Sequence, residues 1–262
     1  MSAARALTLL VLASGLFSFG CRSSVQKEVE QTTEQTQPTD PAGTLSIRNP
    51  LGSVRIYGSD DSEMKLKTTK KAWSAGQLVG IAVRVSAQSG SISLETSFPP
   101  QKTWGFSTRS GRVDYAITVP RTTKISRLEI GNGDVLIEGM RGDMHANLVN
   151  GALAARNCFG NAQLSVANGG LDLFYEKWEQ RRFSIDARII SGNARAFLPR
   201  QASFQVLAET LKGNVTNHLT ETEAHHPRRA TRVNMLVGAE TSSAIVIRAT
   251  NGNIEIAPAR AE

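Results

Sequence analysis

The sequence predicts an all-β fold, a parallel β-helix or β-solenoid of short strands with glycine-led corners. Three observations carry this. The dipeptide Asn-Gly returns every eighteen residues, at Asn132, Asn150 and Asn168. A second glycine, Gly142 or Gly160, stands midway between two such pairs. Two and four residues after each corner glycine the chain is apolar: Val135 and Ile137 after Gly133, Leu153 and Ala155 after Gly151, Leu171 and Leu173 after Gly169. Alternation with period two, entered through a glycine turn, marks a strand that buries one face.

In chain order, "MSAARALTLLVLASGLFSFGC" holds Arg5, an apolar run from Ala6 to Phe19, and small residues before Cys21. The run is too short to span a bilayer comfortably and reads as a secretory signal over residues 1–20. The junction Ser18-Phe19-Gly20-Cys21 resembles a bacterial lipoprotein lipobox, which implies an acylated Cys21 as the new N-terminus. It departs from that pattern at Ser18, where a leucine-like residue is usual, and at bulky Phe19. The other reading is an ordinary signal peptide with a chance cysteine. Arg22, in place of Asp, favours the outer membrane of a Gram-negative envelope. Residues 21–43 are rich in Ser, Thr, Gln, Glu and Pro. Such a segment buries too little to offset its ordering entropy, so a flexible tether is expected, with the solenoid domain at 44–262.

Within that domain the corner pattern recurs. Gly52 leads to Val54 and Ile56, Gly90 to Ile92 and Leu94, Gly111 to Val113 and Tyr115, Gly192 to Ala194 and Ala196, Gly252 to Ile254 and Ile256. Gly213 half obeys, with Val215 followed by Asn217. A meander of hairpins would treat all turns alike, yet Asn alternates with Arg141 and Phe159 at successive corners. Stacked coils explain this, with Val135 on Leu153 on Leu171, Ile137 on Ala155 on Leu173, and the corner asparagines as a side-chain amide ladder. A left-handed hexapeptide helix is excluded, because steps of six from Leu136 meet Gly142 and Gly160. The spacing widens after Gly169, so extra residues must leave as loops at 175–182 and 219–232, with another at 98–111. The long interval from Gly213 to Gly252 is expected to hold two coils and a loop.

The runs "LSIRNPLGSVRIYGSDD", "YAITVPRTTKISRLEIGNGDVLIEGMRGDM", "SGNARAFLP" and "IRATNGNIEIAP", with the three glycine-led coils, resemble the putative-adhesin family of bacterial β-solenoid domains of unknown function. The resemblance covers roughly residues 44 to 258. It implies a solenoid fold and an envelope location, and it brings no catalytic residue with it.

The chain carries 30 basic and 23 acidic residues, a formal charge of +7, which suits an acidic partner. The basic residues are scattered, and an exported protein has little access to nucleic acid. Enzymes on β-helices gather carboxylates on neighbouring coils; here Asp134 and Asp172 are the nearest candidates, two coils apart, with alanines between. His145, His218, His225 and His226 form no metal-ligand spacing, and no phosphate loop, serine elbow or zinc-type cysteine pair occurs. No catalytic residue, metal or cofactor is expected. Cys158 reads as apolar core filler, and with Cys21 acylated no internal disulfide can form. The suggestive side chains are Trp104, Phe106, Tyr175, Trp178, Arg181 and Arg182, placed in predicted loops where they could stack on sugars or grip anions. The plainer reading, and the preferred one, folds these aromatics over the solenoid's open edge as caps. The expected function is a lipid-anchored, non-catalytic adhesion or scaffolding module of the cell envelope, bound to the membrane by its anchor and to an anionic polysaccharide or envelope protein by its loops. The alternatives are a polysaccharide-active β-helix enzyme and an envelope-stress sensing component.

Overall fold

Alternating apolar residues after glycine corners produce strands almost everywhere in the computed structural model, which describes residues 28–88, 90–100, 111–219, 230–238 and 243–259. The N-terminal part comprises β1 (Val29–Pro38), β2 (Thr44–Leu51), β3 (Val54–Ser59), β4 (Glu63–Ala72), the short helix α1 (Ala75–Gly80), β5 (Ala82–Gln88), β6 (Ser91–Ser97) and β7 (Arg112–Pro120). The middle holds β8 (Lys124–Asn132), β9 (Val135–Glu138), β10 (Met144–Arg156), β11 (Ala162–Phe174) and β12 (Ser184–Leu198). The chain ends with β13 (Phe204–Lys212), β14 (Val215–Asn217), β15 (Arg232–Val237), β16 (Ala244–Asn251) and β17 (Ile254–Pro258). The fold is all-β and solenoid-like.

The expected register is observed. Leu153 pairs with Val135 on one side and Leu171 on the other, and Ala155 with Ile137 and Leu173, all in parallel. Parallel neighbours exclude a hairpin meander in the middle of the molecule. The amide ladder also forms: Asn150 Nδ2 donates to Asn132 Oδ1 at 2.8 Å, and Asn168 Nδ2 to Asn150 Oδ1 at 3.0 Å.

The strands are longer than the glycine spacing suggests, because the Asn-Gly corner does not interrupt pairing. β10, β11 and β12 run 13, 13 and 15 residues straight through it. Gly151 (φ 135°), Gly169 (φ 136°) and Gly192 (φ 133°) bend the chain there while their neighbours stay in register. The glycines stack in one column. A Cβ on Gly151 would fall on the carbonyl oxygen of Gly133, one on Gly169 on that of Gly151, and one on Gly192 on that of Gly169. Only glycine combines this φ with this approach.

Inside the flattened coils, residues at alternate positions meet in one apolar core. Met144, Ala146, Leu148, Leu153 and Ala155 are all at most 3% exposed, and the same positions of neighbouring coils repeat this. Cross-coil ion pairs lie on the outside: Arg248 on β16 reaches Glu209 on β13 at 2.8 Å and Asp186 on β12 at 3.4 Å.

Three expectations are corrected. First, spatial order departs from chain order at both ends. β2 and β3 lie between β6/β7 and β8/β9, while β16 and β17 insert between β12 and β13/β14. Second, among the described residues the interval from Gly213 to Gly252 holds one coil and the antiparallel strand β15, which returns along β13. Third, the tether expected over 21–43 contains β1, paired antiparallel with β4 over ten residues. β1 is exposed along nearly its whole length, so apolar burial does not hold it. Backbone hydrogen bonds do, with cross-strand pairs of opposite charge: Lys67 Nζ lies 2.9 Å from Glu34 and Lys71 Nζ 3.5 Å from Glu30.

A candidate ligand-binding face

The repeat from β11 to β12 is five residues longer than that from β10 to β11, and the aromatics of the longer connection turn inward. Tyr175 is fully buried, with its ring 5.5 Å from Phe159, and its hydroxyl donates to the Cys158 carbonyl at 2.8 Å. Trp178 packs against the core at 4.9 Å from Phe204 and 5.3 Å from Phe183. Of the two readings, capping holds for these two residues and the exposed-contact role is corrected: the extra length closes over the open side of the coil, because four rings gain more from one another than from water. Burial raises the Tyr175 phenol well above its usual range. It also pushes the Cys158 thiol up to about 12, as suits a core filler. Arg181 and Arg182 stay exposed on the same connection, with Arg181 4.0 Å from Glu179. Cys21, Trp104, Phe106, His225 and His226 lie outside the described residues.

The candidate carboxylates are occupied. Asp134 Oδ1 accepts the N–H of Ala152 on the next coil at 3.1 Å, so it serves the corner. Asn193 and Asn253, each likewise one residue past a corner glycine, accept N–H groups in the same way. Asp172 sits in a different column and is held by Arg195 through two bonds of 2.6 and 2.8 Å. Among the described residues no three His, Cys, Asp or Glu side chains gather as a metal site. His218 approaches Glu255 only at 4.0 Å.

What the coils build instead is an outward face. Residues three past the corner glycines align across strands as Arg55, Leu136, Ala154, Asp172, Arg195 and Glu255. Residues five past align as Tyr57, Glu138, Arg156, Phe174 and Phe197. The Phe174 and Phe197 rings lie 4.5 Å apart, with the Arg156 guanidinium 5.3 Å from the Phe174 centroid and that of Arg195 5.9 Å from Phe197. The same face continues through Ala116 on β7 and Lys67 on β4 to Glu34 on β1. Around Ala116 it sinks into a cleft of about 330 Å³.

This second column escaped the sequence reading, although counting five residues from each corner glycine finds it. Phe174 and Phe197 stand twenty-three residues apart, and only the five-residue insertion between their coils brings them side by side.

The match to a family model, Toastrack DUF4097, spans residues 22–257. The chain belongs to the Toastrack DUF4097 family. That span includes β1, in agreement with its place in the sheet. No curated protein matches the chain. Among solved structures, the Toastrack chain is similar to a "putative cell adhesion protein" from Clostridium sporogenes, at 15% identity and TM-score 0.50, over 87% of this chain and 100% of that one. A "putative adhesin" from Bacteroides fragilis matches at 11% identity and TM-score 0.31, over 86% of this chain and 97% of that one. A "putative lipid binding protein" from Parabacteroides distasonis matches at 11% identity and TM-score 0.30, over 86% and 96%. At such identities the likeness to the Clostridium sporogenes structure establishes the fold and nothing of the ligand.

Proposed function

We propose that this chain is a non-catalytic binding module of the cell envelope, wound as a parallel β-helix-like solenoid and carried on an acylated Cys21. One observation supports binding over catalysis: the acids nearest to a catalytic pair are consumed by a corner N–H and by Arg195, while the long outward face keeps aromatics, guanidinium groups and a cleft. The similarity to a structure named for cell adhesion agrees with this reading. Arg181 and Arg182, on the exposed connection, are secondary contact candidates. Trp104 and Phe106 remain candidates from sequence.

Two experiments test it. The mature chain, incubated with labelled envelope polysaccharides, is expected to retain polymer and release no fragments; released fragments would make it an enzyme. Cys21→Ser is expected to move the protein from the membrane pellet to the soluble fraction. Persistence in the pellet through a detergent-free salt wash would rule out the lipid anchor.

A further inference from the structure

We infer that the cleft over Ala116 binds a carboxylate-bearing sugar ring of an acidic polysaccharide, with Arg55 as the anion-binding residue. The inference rests on the binding-module reading and adds the ligand class and the site.

The cleft exists because a short side chain lies between two long cations. In the antiparallel and parallel pairings around β7, Ala116 has Lys67 on one side and Arg55 on the other. Ala116 forms the floor, and Lys71 and Asp114 line the same cleft. Most of the charges there are already matched. Lys67 pairs with Glu34 at 2.9 Å, and Lys71 sits between Glu30 at 3.5 Å and Asp114 at 3.9 Å. Asp114 also accepts the Ser53 N–H at 2.9 Å. Among the described residues Arg55 alone of the cleft's cations has no carboxylate within ion-pair distance.

A free guanidinium offers a planar fork that fits a carboxylate with two parallel bonds. The surrounding groups select what bears that carboxylate. Glu30 and Asp114 on the wall repel a compact dianion such as phosphate, yet they accept hydrogen bonds from hydroxyl groups. A single negative charge on a hydroxyl-rich ring satisfies both demands.

The face beyond the cleft favours a polymer over a lone sugar. Past Arg55 the same row runs through Leu136 and Ala154 to the Asp172–Arg195 pair, and the neighbouring row carries the Phe174 and Phe197 rings beside it. From β4 to β12 this is six strand spacings, about 29 Å at the usual sheet separation. A chain of rings laid across the strands has Arg55 near one end and an aromatic ledge at the other.

The test uses the mature chain carrying Cys21→Ser and three probes in titration calorimetry: polygalacturonate, its fully methyl-esterified form, and inorganic phosphate at matched ionic strength. Polygalacturonate is expected to bind at least about tenfold more tightly than the ester. Arg55→Ala should weaken polygalacturonate binding about tenfold or more, leave binding of the ester unchanged and leave the melting temperature unchanged. Arg55→Lys should restore only part of the loss, since an ammonium lacks the fork. Equal binding of polygalacturonate and its ester would overturn carboxylate recognition. Undiminished binding by Arg55→Ala would overturn the cleft, with the binding-module reading intact. Phosphate binding as tightly as polygalacturonate would make the site a phosphate site and overturn the ligand class. Failure to retain any envelope polysaccharide at all would remove the binding-module reading itself.

Discussion

Gly151→Ala is expected to destabilise the solenoid by about 4 kcal/mol or more. Two costs act together. The alanine must adopt a φ near 135°, a region that residues with a Cβ avoid. Its methyl must also displace the carbonyl of Gly133, which is fixed by pairing to the coils on either side. For a domain of this size the melting temperature should fall by at least roughly 8 °C. Gly170→Ala is the control one coil away. There φ is not positive, and the new methyl would meet only the Ala152 side chain at 3.9 Å, an ordinary contact. Its stability should stay within about 0.5 kcal/mol of the parent or rise slightly. Equal losses at both positions, measured by urea denaturation, would show that the glycine column is not the constraint.

Tyr175→Ala should cost a similar amount, about 4 kcal/mol. It removes a ring packed on Phe159, Trp178 and Phe183, and it leaves the Cys158 carbonyl without its 2.8 Å bond. Tyr175→Phe separates the two contributions. It keeps the ring and loses the hydrogen bond, for an expected loss of about 1 to 2 kcal/mol. The measurement also judges the sequence reading of this residue. An exposed contact residue would give a normal melting curve and weaker polysaccharide retention, whereas a core residue gives the reverse.

These residues show where the sequence was legible. The corner glycines announce their column through spacing alone, and the positions two and four residues on announce the core, because a strand's alternation is local and each coil repeats it. Asn132, Asn150 and Asn168 could be assigned to a ladder for the same reason. Tyr175 and Trp178 stood open between cap and contact because a long polar connection carries no period that tells an inward ring from an outward one. Arg55 carried no signal of its own. Its freedom depends on Lys67 and Lys71 being matched by Glu34, Glu30 and Asp114, which arrive from two other strands, β1 and β7.

β1 makes the same point from the other direction. By composition Val29–Pro38 has nothing to bury, and an isolated chain of that kind has no reason to order. It orders because β4 presents an unpaired edge with lysines opposite its glutamates, a circumstance that residues 29–38 do not contain.

From the sequence alone follow the all-β class, the eighteen-residue coil, the register of the three central coils and the identity of most core residues. All of these depend on neighbours within about one coil. The tertiary structure alone decided the order of coils at the two ends, the capture of β1, the inward turn of the 175–183 connection and the cleft beside Arg55. Each is set by which distant edge is left open and which distant charge is left unmatched, and local periodicity holds no record of either.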